Sequence, residues 1–105
     1  MFIRNVREII PVKKYEALFI IEPDAASERF DKVKNEISEN IEQVEGIVSE
    51  CEELGQRQLC YEIRHNKEGF YYLVKFEVKP EVINGIRDRY ELSSDILRFL
   101  INSVE

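Results

Sequence analysis

Few side chains in this chain stand where they could do chemistry. The single histidine, His65, falls in the polar run Arg64-His65-Asn66-Lys67-Glu68-Gly69, with no serine or cysteine partner evident beside it. It reads as a solvated loop residue rather than a general base, which would need a nucleophile within hydrogen-bond reach. Cys51 and Cys60 are nine residues apart, wider than the paired spacing of a zinc site, and His65 is the only other soft ligand. They read as two reduced, half-buried thiols. Glu50, Glu52 and Glu53 sit in a strand-like stretch where neighbouring positions face opposite ways, so their carboxylates do not converge. The four glycines are scattered and build no phosphate-binding loop. We therefore expect no catalytic residue, metal, cofactor or small-molecule substrate.

Nucleic acid is the next candidate. Gly69, Phe70, Tyr72 and Leu73 fit a strand signature of RNA-recognition modules, but Glu68, Tyr71 and Lys75 do not. Phe70 and Tyr72 also fall on the face expected to line the core, so no base-stacking platform is inferred. The net charge of −6 argues against a simple basic binder. The charge is uneven, however. Residues 1–21 hold four basic and two acidic groups, residues 22–53 hold three and eleven, and residues 54–105 hold eight of each. Screening confines such charges to roughly 8–10 Å, so an acidic protein can still offer a basic edge.

The elements that must position these residues follow from periodicity. A length of 105 residues suits one domain. Residues 1–14, interrupted by Pro11, read as an N-terminal arm, and residues 15–105 as the domain. Tyr15 to Ile21 is apolar on both alternating faces apart from Glu16, which suits a central strand. Phe30, Val33, Ile37, Ile41 and Val44 make one stripe of a helix from about Ser27 to Glu45, with Asp24 or Ser27 as N-cap and Gly46 as its end. Glu36, Glu39, Glu42 and Asp31 lie off the stripe as a solvated acidic face. Ile47 to Ile63 reads as a long strand bent or bulged at Gly55, with Leu59, Tyr61 and Ile63 alternating with Gln58, Cys60 and Glu62 in a half-buried pattern. After the loop of residues 64–69 comes a strand from Phe70 to Val78, with Phe70, Tyr72, Val74, Phe76 and Val78 on one face and Tyr71 and Leu73 on the other. A second helix opens at Lys79-Pro80-Glu81, buries Val82, Ile83, Ile86 and Tyr90, and is weakened by Gly85. After the turn Ser93-Ser94-Asp95, the last strand runs from Ile96 to about Val104.

The order strand, helix, strand, strand, helix, strand predicts an α+β, ferredoxin-like split βαβ fold: a four-stranded antiparallel sheet with two helices on one face. The other face stays open, with Tyr71, Leu73, Leu18 and Ile20 pointing there, and uncovered apolar residues usually meet a partner. No run of about 18 apolar residues exists to cross a membrane. The first eight residues lack the apolar centre of a signal peptide, so a cytoplasmic protein is expected.

The segment Gly55-Gln56-Arg57-Gln58-Leu59-Cys60-Tyr61-Glu62-Ile63-Arg64 resembles the signature of the bacterial small-subunit ribosomal protein S-six family: Gly, any, basic, polar, Leu, small, Tyr, any, Ile, basic or polar. Only Cys60 departs, where the family has Ala or Ser. Tyr15-Glu16, Glu53-Leu54, Gly69-Phe70-Tyr71 and Asp95-Ile96-Leu97-Arg98 are also family-like, so the resemblance spans roughly residues 15–101. It implies a non-enzymatic structural component of the ribosome, cytoplasmic, that binds the central domain of small-subunit ribosomal RNA together with ribosomal protein S-eighteen. Carried over, Arg57, Arg64 and Arg98 are the candidates for RNA phosphate, with Lys13 and Lys14 as lesser ones. Arginine suits the task because its fork pairs bidentately with phosphate. Tyr71 and Leu73 are the expected partner-protein contacts. The stretch before Tyr15 is longer than the family's usual start, and the chain stops at Glu105 where many relatives run on in basic or polar residues. Low affinity for RNA without the partner is therefore expected. Because a fold never settles function, an alternative is a homodimeric, ligand-sensing regulatory module pairing through the open face. An acylphosphatase-type enzyme would need a loop-borne Arg and Asn arrangement that the sequence does not offer.

Overall fold

Alternation decides the sheet. The computed structural model describes residues 11–104, and within them Lys13–Ile21 forms the first strand, β1. Tyr15, Ala17, Phe19 and Ile21 are buried, while Glu16, Leu18 and Ile20 are half-buried. A strand apolar on both faces belongs inside a sheet. With β2 at Ile47–Ile63, β3 at Asn66–Val78 and β4 at Ile96–Ser103, the spatial order is β2-β3-β1-β4, so β1 is interior. Every neighbouring pair is antiparallel. β1 starts two residues before the expected Tyr15, since Lys13 and Lys14 already pair with Val78 and Glu77. Of the expected N-terminal arm, residues 1–10 lie outside the described residues.

One helix was expected between the first two strands, and there are two: α1 at Pro23–Glu28 and α2 at Phe30–Glu42. Arg29, at φ −147° and ψ 40°, breaks them apart. Helical phase supplies the reason. Ala25, Val33, Ile37 and Ile41 are all fully buried. At about 100° per residue, one unbroken helix would carry Ala25 roughly 160° around the axis from Ile41. The break resets the phase and returns Ala25 to the core. Neither Asp24 nor Ser27 acts as an N-cap; Ser27 Oγ instead donates to the Asp24 carbonyl at 3.2 Å.

The end of α2 also differs from expectation. Glu45, not Gly46, adopts the left-handed conformation, at φ 64°. The Gly46 N–H donates to the Ile41 carbonyl and the Glu45 N–H to the Glu42 carbonyl, the two bonds of a Schellman close. Gly46 is needed for space. A Cβ there would run into Val78 Cγ1 and lie 2.7 Å from Ile41 Cγ2.

The second helical segment is a 3₁₀ turn at Pro80–Val82 leading into α3, Ile83–Glu91, with Ile83, Ile86 and Tyr90 buried. Tyr90 joins the layers. Its ring meets Phe19 edge-on at 4.9 Å, and its hydroxyl donates to the Ile37 carbonyl at 2.8 Å. Burial, followed by the nearby Glu36 carboxylate, pushes the Tyr90 phenol above the ordinary tyrosine range. α1, α2 and α3 thus cover the face of the sheet that carries Phe19, Tyr72 and Val74, and leave the other face uncovered.

The β2–β3 hairpin projects past the sheet. β1 ends at Ile21 opposite Phe70, yet β2 and β3 run on to a turn at Arg64–His65. The 17 residues of β2, at about 3.3 Å each, match the 56 Å long axis of the domain. Gly55, at φ 95°, sits in a register shift, as the bulge expectation required. Two other expectations fail here. The loop is a two-residue turn rather than six residues of coil: Arg64 and His65 have φ of 49° and 66°, and Ile63 pairs directly with Asn66. Asn66 Nδ2 holds the turn by donating to the carbonyls of Ile63 and Arg64. Of the expected half-buried face, Leu59 and Ile63 are half-buried but Tyr61 is 61% exposed, because the hairpin has no helix beneath it.

Candidate functional site

The register lays the open face out in rows. Leu18 pairs with Leu73 on one side and Leu100 on the other, making an apolar band across three strands. The next row places Ile20 between Tyr71 and Arg98. Beyond it, Arg57 pairs with Gly69 at the root of the hairpin. On the other side of the band, Glu16 lies between Lys75 and Asn102, and Lys75 Nζ is 3.9 Å from Glu50. The face therefore grades from mixed charge through an apolar centre to arginine.

The hairpin leans over the arginine end. Two strands, β3 and β1, separate β2 from β4, yet Arg98 Nη1 of β4 donates to the Tyr61 hydroxyl of β2 at 2.8 Å. The same guanidinium lies 5.7 Å from the centre of the Tyr61 ring. Gly69 permits the lean: a Cβ there would collide with Ile20 Cγ2, and Leu59 Cδ2 would lie 3.5 Å away. Arg57 is 5.9 Å from the Tyr71 ring centre and donates to the Leu54 carbonyl at 3.3 Å. An open depression of about 1100 Å³ at this end is bordered by Leu18, Ile20, Arg64, Tyr71, Arg98 and Leu100, among others.

Electrostatics separates these arginines from the rest. Arg29 is held by Asp95 at 2.8 Å, with Glu22 and Glu28 within 4 Å. Arg87 donates to the Ile101 carbonyl and Arg89 to Gln43. Among the described residues, Arg57, Arg64 and Arg98 form no ion pair, and all three are exposed. The acidic run of Asp31, Glu36, Glu39 and Glu42 lies on α2, across the sheet from them. The arginine end thus offers charge-assisted donors that form no ion pair, with the Asp88 and Glu91 carboxylates also bordering the depression, and such unpaired donors suit phosphate oxygens.

The structure brings Arg64, Arg98 and Tyr71 to one depression, and Arg57 adjoins them through the Tyr71 ring, with Leu73 one row away. It does not bring Lys13 and Lys14 to them. Lys14 pairs with Glu77, six residues along β1 from Ile20, which puts it roughly 20 Å from the Arg98 row. Lys13 points to the opposite face by alternation. Two members of the face were not singled out from sequence. Leu100 is 55% exposed, and its signal was the phase of β4, opposite to buried Ile101. Tyr61 was read as half-buried, and no local signal tied it to Arg98.

Both cysteines are exposed rather than half-buried, since β2 is an edge strand. Burial, and after it a hydrogen bond with Cys51, pushes the Tyr72 phenol above the ordinary range. Among the described residues, no group of three or more His, Cys, Asp or Glu is placed to hold a metal, and no helix is long and apolar enough to cross a membrane.

Comparison with known proteins adds to this geometry. The family described as "Ribosomal protein S6" matches residues 14–102. The small ribosomal subunit protein bS6 of Moorella thermoacetica is 31% identical, over 90% of this chain and 96% of that protein. The bS6 protein of Helicobacter hepaticus is 33% identical, over 90% of this chain and 69% of that one. That of Helicobacter pylori is 30% identical, over 90% and 66%. The chain thus spans nearly all of the Moorella protein and about two thirds of the length of the Helicobacter ones. Among solved structures, 30S ribosomal protein S6 from Thermotoga maritima superposes with a TM-score of 0.81 over 89% of this chain and 88% of that one, at 24% identity. That likeness establishes a common fold.

Proposed function

The chain belongs to the ribosomal protein S6 family of the bacterial small subunit, and from that premise we propose that it binds the central domain of small-subunit ribosomal RNA together with ribosomal protein S18, as a structural component in the cytoplasmic ribosome. The family is one of ribosomal structural proteins rather than enzymes. The observation that carries the reading is the grouping of Arg57, Arg64 and Arg98. All three lack carboxylate partners among the described residues, and they adjoin the apolar band of Leu73, Leu18 and Leu100.

In this reading the two ends of the open face have different tasks. The arginines contact phosphate and fix register, a role that carries little sequence information. Tyr71 and Leu73, with Leu18 and Leu100 beside them, meet the partner protein. Lys13 and Lys14 form a separate, weaker phosphate contact at the far end of β1. The residues before Lys13, where β1 begins, act as an arm preceding the domain.

The test is the salt dependence of binding to a central-domain RNA fragment with S18 present. Each lost phosphate contact lowers the slope of log affinity against log salt by about 0.7–0.9. The triple variant R57A/R64A/R98A should therefore lower the slope by about 2 and weaken binding most at low salt. An unchanged slope and affinity would remove the arginines from the interface. A wild-type protein that ignores both RNA and S18 and sediments as a homodimer would favour the regulatory-module alternative.

A further inference from the structure

Arginines gathered at a surface bind phosphate well only when they are ordered beforehand, because a long side chain loses rotamer freedom on binding. Arg98 stands on an edge strand with no carboxylate to hold it among the described residues. Among the described residues its hydrogen-bond partner is Tyr61, which touches it twice, through the 2.8 Å hydrogen bond to the hydroxyl and through the ring face at 5.7 Å. Tyr61 is otherwise 61% exposed and belongs to no core cluster. A large aromatic side chain that is mostly exposed and outside the core contributes little to packing.

We propose that Tyr61 is a positioning residue for RNA binding: it holds the Arg98 guanidinium, and with it the β2–β3 hairpin, over the end of the sheet so that Arg98, Arg57 and Arg64 face phosphate as one pre-ordered group. This rests on the RNA-binding reading above. The chemistry suits the task. The contact occupies one guanidinium N–H and one ring face and leaves the remaining donors for a phosphate oxygen. It also fixes the hairpin that carries Arg57 and Arg64, because Tyr61 lies between them on β2. A carboxylate in place of Tyr61 would order Arg98 equally well but would cancel its charge, whereas a phenol orders it and leaves the charge available. The Tyr71 ring under Arg57 repeats the arrangement one strand away.

The experiment measures affinity for the central-domain RNA fragment with S18, across a salt series, for wild type, Y61F, Y61L, R98A and Y61L/R98A. Y61F keeps the ring contact and loses the acceptor; Y61L loses both. Ordering one long side chain is worth roughly threefold to tenfold in affinity, so Y61L should weaken binding by about that factor and Y61F by less. The salt slope should stay as in wild type for both, since no phosphate contact is removed, whereas R98A should lower it by about 0.7–0.9. In the R98A background Y61L should have no further effect, a coupling that a purely structural tyrosine would not produce. The thermal midpoint of every variant should match wild type. Wild-type binding with Y61L equal to wild type, or with Y61L equally harmful in the R98A background, overturns the inference alone. Failure of the wild type to bind RNA and S18 overturns the reading beneath it as well.

Discussion

Replacing Gly46 by alanine should destabilise the domain, while the same replacement at Gly85 should stabilise it. At Gly46 the backbone is not left-handed, so alanine meets no conformational barrier and the whole effect is steric. The new methyl would run into Val78 Cγ1 and lie 2.7 Å from Ile41 Cγ2 and 2.9 Å from the Ile41 carbonyl oxygen. Ile41 is 0% and Val78 1% exposed, so neither has free space to retreat into. Overpacking of this kind costs about 2 kcal/mol, or a fall in thermal midpoint of roughly 10 °C for a domain of this size. Gly85 lies in exposed helix with nothing within 4 Å of a Cβ. There alanine gains about 1 kcal/mol of helix propensity, a rise of roughly 5 °C. Urea unfolding of both variants checks the pair, with equal m-values licensing the comparison. Val78→Ala supplies the internal control. It leaves a cavity costing about 2 kcal/mol on its own, but should cost distinctly less in the G46A background, where it makes room for the new methyl. A G46A protein as stable as wild type, or strict additivity with Val78→Ala, would refute the packing argument.

Four further outcomes are expected. Tyr90→Phe leaves the buried Ile37 carbonyl without its 2.8 Å donor and should cost about 1–2 kcal/mol by urea unfolding. Because the folded state holds the Tyr90 and Tyr72 protons more tightly than the unfolded chain does, their contribution is complete at neutral pH and is lost as pH rises past the ordinary tyrosine value of about 10. Spectrophotometric titration should show the ionisation of Tyr90 and Tyr72 coinciding with alkaline unfolding, and ionisation of either at its ordinary value in the folded state would contradict this. His65→Gly removes a side chain from a left-handed turn position at φ 66° and should stabilise the hairpin by about 1 kcal/mol; a loss of stability would contradict the two-residue turn. Leu100→Asp alters a residue that is 55% exposed, so the thermal midpoint should barely move while S18 capture in a pull-down is lost. Retained capture would move the partner off the apolar band.

The division between sequence and tertiary structure follows the range of the forces involved. Period-two alternation alone placed Leu18, Ile20, Tyr71 and Leu73 on one face and Phe19, Tyr72 and Val74 on the other, because each Cβ direction is fixed by its own backbone. The stripe Val33, Ile37 and Ile41, the bulge at Gly55 and the split βαβ order were legible for the same reason, and the ten-residue signature pointed to the family. The turn at Arg64–His65 was hidden because neither residue is a Gly or Asn that would announce φ above zero. The break at Arg29 was hidden because it answers to where the core lies, not to local propensity. Least legible was the fate of each arginine. Arg29 is bound by an aspartate 66 positions away, and Arg98 is held by a tyrosine 37 positions away. The two side chains are identical in type. Which cation is neutralised and which is presented to solvent depends on the packing of segments far apart in the chain, and only the tertiary structure decides that.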